Sequence, residues 1–305
     1  MQASTAILLV QTGTPREACP AAVREYLTEF LNDPFVIHSR GARWIIKHLL
    51  ISCYAKKTAE KYARFFNGHG RTLTDTSNAL ASKLEQMLNN TRVVSAMRYG
   101  EPSLERVLNK LVHENISQIL IIPLFPQFSR TTTGSIINHV SHILPLLSKK
   151  LSVSFIEHFY HDPHFIDCLT AHINSHLDKD TEHLFLSYHS LPTSYVRKGD
   201  PYVDQCVQTT NLLKQKINLP ADKISHVYQS RMGWGQWQGP FLKDELEQIT
   251  RQGVKKVAVA FPGFTFDCLE TLDEVGGMSL QLIPCLNDSD QWANALEQII
   301  TSKMI

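Results

Sequence analysis

Short apolar segments rich in β-branched residues recur along this chain of 305 residues, and they constrain its fold more than any other feature. They are AILLVQ (6–11), RVVSAM (92–97), QILIIPLF (118–125), LSVSFI (151–156), LFLSYH (184–189), SHVYQS (225–230) and KVAVAFP (256–262). Each is hydrophobic almost without interruption, as parallel strands covered on both faces are. Between these segments, apolar residues recur at helical intervals in residues 20–31, 103–114 and 241–253. The alternation predicts an α/β fold with parallel sheets and right-handed crossovers.

The two halves of the sequence resemble each other in the order of their motifs. MRYGEPSLERVLNKL…QILIIPLFPQFS in the first half parallels SRMGWGQWQGPFLKDEL…KVAVAFPGFTFD in the second, and LLVQTGTP parallels FLSYHSLP. We therefore predict two similar α/β domains, residues 1–148 and 149–305, and we expect the last helix to pack back on the first domain. Two such domains facing each other would form a cleft at the carboxyl ends of their strands, where open α/β sheets bind ligands.

Composition and missing motifs exclude several functional classes. Lysine and arginine number 30 against 29 acidic residues, so no field of one sign favours nucleic acid as a partner. No stretch of 18 apolar residues is present, and the N-terminus lacks the basic region of a signal peptide. Six scattered cysteines without a CxxC pair fit a reducing compartment, which predicts a cytoplasmic location. Neither G-x-G-x-x-G nor a P-loop occurs, which argues against dinucleotide and nucleoside triphosphate binding.

Polar side chains at the ends of the predicted strands are the candidates for chemistry. His189 ends an apolar segment, and Asp267, Glu270 and Glu274 are spaced three and four residues apart after another. If that segment is helical, the three carboxylates lie on one face of the helix. That face either lines a functional site or is simply exposed to solvent. A structural, hydrogen-bonded histidine is the alternative for His189. A neutral imidazole opposite a carboxylate could accept a proton and pass it on. The pair His189 and Glu270 also offers two metal contacts, which suits a metal that passes through an open site.

Two further segments invite interpretation. HFYHDPH places His158, His161 and His164 three residues apart, but Pro163 interrupts them, so we favour a polar loop or helix start over a metal cluster. The segment RWIIKHLLISCYAKK (43–57) is apolar with basic ends. It is either a helix packed on the core or a lip over a large apolar ligand, and in the second case it could also make a peripheral contact with a membrane surface.

The motifs together resemble the ferrochelatase family, the enzymes that insert ferrous iron into a porphyrin in haem synthesis. The matching segments are LLVQTGTP, EFLNDPFVI, AMRYGEPSL, PLFPQFSRTTTGS, YHSLPTSYVRKGDPY, YQSRMGWGQWQGP, PGFTFDCLETLDEV and IPCLND. They extend from residue 8 to about 288, almost the whole chain. The resemblance implies two similar Rossmann-like domains with four-stranded parallel sheets, and a macrocycle held in the cleft between them.

The resemblance also implies the roles of individual residues. His189 and Glu270 would be a catalytic and metal-contacting pair on opposite walls of the cleft, with Asp267 catalytic and Glu274 in the carboxylate row behind Glu270. His189 is the implied proton acceptor or metal contact, and the carboxylates would carry protons out or iron in. The implied macrocycle contacts, for which ordinary packing is the alternative, are Arg98, Tyr99, Phe128, Ser129 and Thr131. Thr12 and Glu274 are further implied substrate contacts.

The resemblance implies a lyase, with a porphyrin and Fe²⁺ as substrates and no permanently bound cofactor. No iron–sulfur cluster is expected, because the cysteine-bearing tail of some relatives is lacking and the cysteines have no suitable spacing. Before GTP the family usually has Asn and an apolar residue, where this chain has Gln11 and Thr12. The coproporphyrin-using branch often has a tyrosine at the position of Thr12, so we predict protoporphyrin IX as the substrate. The alternatives are coproporphyrin III, a non-catalytic tetrapyrrole-binding protein and a chelatase for cobalt or nickel.

Overall fold

The computed structural model describes residues 5–69, 72–89, 91–231, 235–273, 275, 278 and 280–304. The chain divides into two compact units, residues 1–157 and 158–305. Each unit is built around one four-stranded parallel sheet flanked by helices, as predicted.

The first unit holds its strands in the order β2-β1-β3-β4. The strands are β1 (Thr5–Gln11), β2 (Arg92–Met97), β3 (Gln118–Pro123) and β4 (Ser152–Phe155). The helices are α1 (Pro20–Asn32), α2 (Arg40–Ile45), α3 (Ile51–His69), α4 (Leu73–Met87), α5 (Leu104–His113) and α6 (Ser135–Ile143). A π-helical turn at Ile46–Leu50 joins α2 to α3, another at Arg130–Gly134 precedes α6, and a 3₁₀ turn at Leu144–Leu146 follows it.

The second unit holds its strands in the order β6-β5-β7-β8. The strands are β5 (His183–His189), β6 (Ile224–Gln229), β7 (Val257–Ala260) and β8 (Gln281–Leu282). The helices are α7 (Pro163–His176), α8 (Thr193–Arg197), α9 (Tyr202–Lys214), α10 (Leu242–Arg251), α11 (Leu269–Leu272) and α12 (Asp290–Met304), with a 3₁₀ turn at Ala221–Lys223.

The two sheets have the same topology, because the first strand of each unit is paired with the second and the third, and the fourth strand lies at the edge. A loop contact repeats as well. The Met97 N–H donates to the Pro102 carbonyl at 2.8 Å, and the Tyr228 N–H donates to the Pro240 carbonyl at the same distance. The predicted internal duplication is therefore confirmed at the level of strand order and of the loop that follows the second strand.

Burial of the strands explains why their sequences are continuously apolar. Ala6, Ile7, Leu8, Leu9 and Val10 of β1 are all 0% exposed. Helices cover both faces of a central parallel strand, so alternate residues on each face are equally buried. The strands could be located from their continuous apolar sequences because this architecture buries nearly every residue of a central strand.

The observed boundary between the units differs from the predicted one. Strand β4 pairs with β3, with Gln118 opposite Ser152, so the first unit continues beyond residue 148 to residue 157. The last helix, α12, packs on α7 of its own unit, where the rings of Trp292 and Phe165 meet edge to face at 5.9 Å. That α12 also packs back on the first domain stays a prediction, as does the cleft.

The segment 43–57 belongs to a helical stretch that runs from α2 through the π-helical turn into α3. Among the described residues, the exposed large hydrophobic side chains concentrate here, at Trp44, Ile45, Leu50 and Tyr54. None of the helices in the described part of the chain is both long enough and apolar enough to cross a bilayer.

Candidate functional site

His189 is the last residue of β5, the strand between β6 and β7 in the second sheet. Its ring is partly buried, and its Nδ1 lies 2.6 Å from the Ser190 carbonyl oxygen. A carbonyl oxygen can only accept a hydrogen bond, so Nδ1 carries the proton. In the neutral ring the lone pair is therefore on Nε2, the nitrogen that can accept a proton.

The carbonyl that orients His189 is itself held in place by Ser190. The Ser190 N–H donates to the Gln229 carbonyl at 2.8 Å, and the Ser190 hydroxyl donates to the Gln238 carbonyl at 2.7 Å. Ser190 is 1% exposed. The tautomer and the orientation of the imidazole thus follow from a buried turn that is fixed at both its amide and its hydroxyl.

Glu270 lies in α11, a helix of four residues that follows the loop after β7. Its backbone carbonyl accepts a hydrogen bond from the Gln229 side-chain amide at 2.6 Å. Its carboxylate is near the Cys268 thiol. Burial first, and then the negative charge and hydrogen bonding of Glu270, raise the pKa of Cys268, so the thiol stays protonated.

His189 and Glu270 both belong to the second unit and meet the carboxyl edge of the same sheet. Gln229 is the residue paired with His189 across β5 and β6, and it contacts Glu270 directly. The resemblance implied that His189 and Glu270 lie on opposite walls of the cleft. Because both belong to the second unit, those walls are not one from each domain. A metal contact by the pair stays a prediction.

Asp267 does not extend Glu270 into a row along one helix. Cys268 is extended, with φ −146°, and α11 begins only after it, so Asp267 lies in the preceding loop. The Asp267 carboxylate accepts the Cys285 N–H at 3.0 Å and the Asn287 side-chain amide at 2.7 Å. The predicted helical row is thus wrong for Asp267, whose carboxylate ties two loops together. Glu274 lies outside the described residues.

Thr12 lies directly after β1, where the chain packs against the end of β2. The Thr12 carbonyl accepts the Tyr99 N–H at 2.9 Å, and the Gln11 carbonyl accepts the Arg98 N–H at 2.8 Å. The next residue, Gly13, has φ +111°, and a Cβ there would lie 1.9 Å from the Tyr99 carbonyl oxygen. Only glycine fits this close approach of two backbones.

Arg98 and Tyr99 join a buried polar cluster whose centre, Asp33, was not among the predicted site residues. The Asp33 Oδ2 accepts from Arg98 Nη2 at 2.6 Å, from the Tyr99 hydroxyl at 2.8 Å and from the Ser135 hydroxyl at 2.6 Å. Tyr99 is 2% exposed. The predicted macrocycle contact of Tyr99 is thus not supported by its burial, and its hydroxyl serves the Asp33 carboxylate. Asp33 is in the EFLNDPFVI motif, which is the signal that could have found it.

The electrostatics of this cluster favour the charged form of Asp33. Burial opposes ionisation, but hydrogen bonds from Ser135, the Phe35 N–H and Tyr99, together with the charge of Arg98, hold the pKa of Asp33 below its ordinary value. His139 on α6 is close by, and burial, followed by the charge of Arg98, lowers its pKa to about 4. The cluster therefore holds one buried ion pair beside a neutral imidazole.

The three remaining predicted contacts lie just before α6. The Ser129 hydroxyl is 2.9 Å from the Thr131 hydroxyl and accepts the Thr131 N–H at 3.2 Å, which caps the π-helical turn. Ser129 is 2% exposed, whereas Phe128 and Thr131 are partly buried. The geometry of Ser129 is explained by capping, and Phe128 and Thr131 stay candidates for contact with a ligand.

The structure confirms the predicted polar loop or helix start at HFYHDPH. Asp162 caps α7, and its carboxylate accepts the His164 N–H at 2.9 Å, so the motif is a loop and helix start. Within the described residues, no group of three or more His, Cys, Asp and Glu side chains is arranged to hold a metal ion.

The sequence as a whole matches a family model described as Ferrochelatase over residues 4–304. The chain is 35% identical to Ferrochelatase of Aromatoleum aromaticum over 320 residues, which cover 98% of this chain and 88% of that protein. It is 35% identical to Ferrochelatase of Pseudomonas fluorescens, with 95% and 96% covered, and 36% identical to Ferrochelatase of Herminiimonas arsenicoxydans, with 99% and 87% covered.

Solved structures of similar fold are chelatases of low sequence identity. "SirB from Bacillus subtilis with Fe3+" superposes with a TM-score of 0.56 at 12% identity, covering 98% of this chain and 94% of that chain. CbiX, described as the terminal enzyme for biosynthesis of siroheme in denitrifying bacteria, gives a TM-score of 0.52 at 12% identity, with 97% and 98% covered. These likenesses establish the fold.

Proposed function

The chain belongs to the ferrochelatase family, and on that premise we propose that it inserts ferrous iron into protoporphyrin IX with His189 as the proton acceptor. As a member of this family it is an enzyme, a metal chelatase of the lyase class. Metallation replaces two pyrrole N–H protons by one Fe²⁺, so a group must take up two protons for each turnover. The single observation that supports the assignment is the hydrogen bond from His189 Nδ1 to the Ser190 carbonyl, which leaves Nε2 as the acceptor.

Glu270 complements this role, because a carboxylate can exchange both protons and hard cations with solvent. A four-residue helix presents it, and its backbone carbonyl is anchored to the sheet through Gln229. We propose that Glu270 relays protons away from His189 or delivers Fe²⁺ to the ring. Distortion of the ring on binding would expose the pyrrole nitrogens to these groups, with the apolar contacts of the macrocycle offsetting the strain.

Arg98 is proposed as a contact for a porphyrin carboxylate. It is the cation that pairs with Asp33, and its side chain is 14% exposed, against 2% for Asp33. A guanidinium that donates to Asp33 and Ser135 retains further N–H donors for a carboxylate. Phe128 and Thr131 are proposed to contact the same ligand.

The chelation assay tests the function and separates the substrates. Purified protein is incubated anaerobically with Fe²⁺ and either protoporphyrin IX or coproporphyrin III, and loss of porphyrin fluorescence is followed. We expect turnover with protoporphyrin IX and a lower kcat/KM with coproporphyrin III. A higher kcat/KM with coproporphyrin III would reverse the substrate assignment, and absence of turnover with both would contradict the function.

A peripheral membrane contact through 43–57 is a second proposal, and the exposed side chains of α2 and α3 support it. Trp44 and Tyr54 are 60% and 55% exposed. No acidic residue occurs in the sequence between Asp33 and Glu60, whereas five basic residues do, namely Arg40, Arg43, Lys47, Lys56 and Lys57. Interfacial aromatic residues beside basic ones suit the headgroup region of an anionic lipid surface.

Vesicle sedimentation tests this contact. We expect binding to phosphatidylcholine vesicles that contain phosphatidylglycerol, weakened by salt and by the double change Trp44→Ser and Tyr54→Ser. The matched control is Leu146→Ser, since Leu146 is 78% exposed outside this segment. Equal binding to vesicles without phosphatidylglycerol, or an equal loss with Leu146→Ser, would contradict the proposal.

A further inference from the structure

We propose that Gln229 is a positioning residue that holds the Glu270 turn in a fixed place relative to His189. The inference rests on the proposed function, because it assigns Gln229 a role only through the two candidate catalytic groups. Gln229 is the last residue of β6 and is 6% exposed, so its side-chain amide is available to neighbouring protein groups and hardly to solvent.

Both ends of the Gln229 amide are used in the structure. Its Oε1 accepts the Ser187 hydroxyl at 2.7 Å, and its Nε2 donates to the Glu270 carbonyl at 2.6 Å. Ser187 is 0% exposed and lies in β5, two residues before His189. The Ser187 hydroxyl thus fixes the orientation of the amide, and the amide connects the strand that ends in His189 to the turn that carries Glu270.

The backbone of Gln229 contacts the other candidate group. Its carbonyl accepts the Ser190 N–H at 2.8 Å, and the Ser190 carbonyl orients His189. The next residue, Ser230, has φ +64°, so β6 ends at a backbone conformation that non-glycine residues adopt at a cost. One residue therefore touches the supports of both the imidazole and the carboxylate.

The contact matters because α11 is so short that its position depends on contacts with its neighbours. It is a helix of four residues, and isolated helices of that length are not stable in water. A displacement of about 1 Å in a reacting group can lower a rate about 100-fold. Loss of the Gln229 amide should therefore impair the chemical step that uses Glu270, and leave porphyrin affinity, which depends on a broad apolar contact, nearly unchanged.

Two variants separate the contact with Glu270 from the contact with Ser187. Gln229→Glu is isosteric and still accepts from Ser187, but as a carboxylate it cannot donate to the Glu270 carbonyl. Gln229→Met removes both hydrogen bonds. The matched control is Thr210→Val, which removes buried hydrogen bonds to Tyr188 and His226 in the same unit without touching either candidate group.

The experiment measures kcat and both KM values in the anaerobic chelation assay, and amide hydrogen exchange at Leu272 and Asp273 of the purified full chain. We expect Gln229→Glu and Gln229→Met to lower kcat about 10- to 100-fold, because losing a hydrogen bond that supports a metal-binding residue has an effect of this size in other enzymes. The KM for porphyrin should change less than twofold. Exchange at the two amides should accelerate in both variants and not in Thr210→Val.

Wild-type kcat in Gln229→Glu, unchanged exchange at Leu272 and Asp273, or the same loss of kcat in Thr210→Val would each overturn the inference. Absence of turnover in the wild-type protein would instead contradict the proposed function. In that case the exchange measurement still decides whether Gln229 holds the Glu270 turn.

Discussion

Asp33 and Arg98 form an ion pair in which Oδ2 and Nη2 are 2.6 Å apart and the Asp33 side chain is 2% exposed. The two residues are 65 positions apart in the sequence, at the end of α1 and just after β2. Their contact fixes the loop after α1 to the carboxyl edge of the first sheet, and with it the orientation of the guanidinium that we propose as a ligand contact.

Removing the charge of Asp33 should destabilise the protein strongly. In Asp33→Asn the guanidinium of Arg98 stays largely buried without its counter-ion, a loss that costs about 3–5 kcal/mol in other proteins. Urea unfolding at pH 7 measures the change. A loss below about 1 kcal/mol would show that solvent compensates the charge of Arg98.

The same variant makes a prediction about pH. The pKa of Asp33 in the folded protein lies below its ordinary value of 3.8, so the stabilisation by its ionised form is fully present above that value. It is lost as the pH falls through the lowered pKa. The difference in unfolding free energy between wild type and Asp33→Asn should therefore be constant from pH 7 to 5 and shrink below about pH 3.8. A difference that is constant down to pH 2 would contradict this.

Gly13 should not tolerate a side chain. In Gly13→Ala the new Cβ would overlap the Tyr99 carbonyl at 1.9 Å. Gly253→Ala is the matched control, since Gly253 also has positive φ, +94°, but a Cβ added there would meet no atom within 4 Å. The control should lose roughly 1–2 kcal/mol from backbone conformation. Gly13→Ala should lose at least about 2 kcal/mol more from overlap, as measured by thermal or urea unfolding. Equal losses would refute the steric explanation.

Replacing His189 should separate turnover from binding. Asn in His189→Asn can keep the donor to the Ser190 carbonyl, but it has no counterpart of Nε2. We expect kcat for chelation to fall at least about 100-fold, the lower range for loss of a general base. Porphyrin binding, followed by fluorescence in the absence of iron, should change less than threefold. Turnover above a tenth of the wild-type value would remove His189 as the proton acceptor.

His226 should make stability depend on pH in the mildly acidic range. Burial lowers its pKa to about 4 from the ordinary value of 6.5, so the unfolded chain binds a proton in this range that the folded protein does not. The contribution of His226 to stability should therefore decrease as the pH falls from 6.5 to 4, by up to about 1.4 kcal/mol per pH unit, and then level off. His226→Gln, whose side-chain amide can still hydrogen-bond to the Thr210 hydroxyl, should reduce that slope. An unchanged slope in urea titrations would assign the effect to other groups.

The fold could be predicted from the sequence because a strand covered by helices on both faces is apolar at nearly every position, and such segments are visible in the sequence. The exception among the described strands is β8, which has two residues, Gln281 and Leu282, too few for any pattern. The helical row of Asp267, Glu270 and Glu274 was predicted from spacing alone. Spacing assumes a continuous helix, whereas the extended conformation of Cys268 starts α11 after Asp267.

The candidate site was predicted only where a motif carried it. His189 and Glu270 were identified as polar residues after predicted strands, and the resemblance implied their roles, but the residues that support them were not predicted. Asp33 meets Ser135 across 102 positions, and Gln229 meets the Glu270 carbonyl across 41. Such pairings depend on how distant loops converge at a sheet edge, which local periodicity does not encode.

The repeated strand order has a consequence for how such a protein can diversify. Strands β1 and β5 occupy corresponding places, yet β1 ends at Gln11, whose carbonyl helps to hold Arg98, and β5 ends at His189. Under the proposed function, the first copy of the scaffold anchors the Arg98 side chain, and the second copy carries the candidate reactive groups His189 and Glu270. Substitutions that alter the candidate reactive groups can therefore accumulate in the second unit without changing the residues of the first unit that hold Arg98.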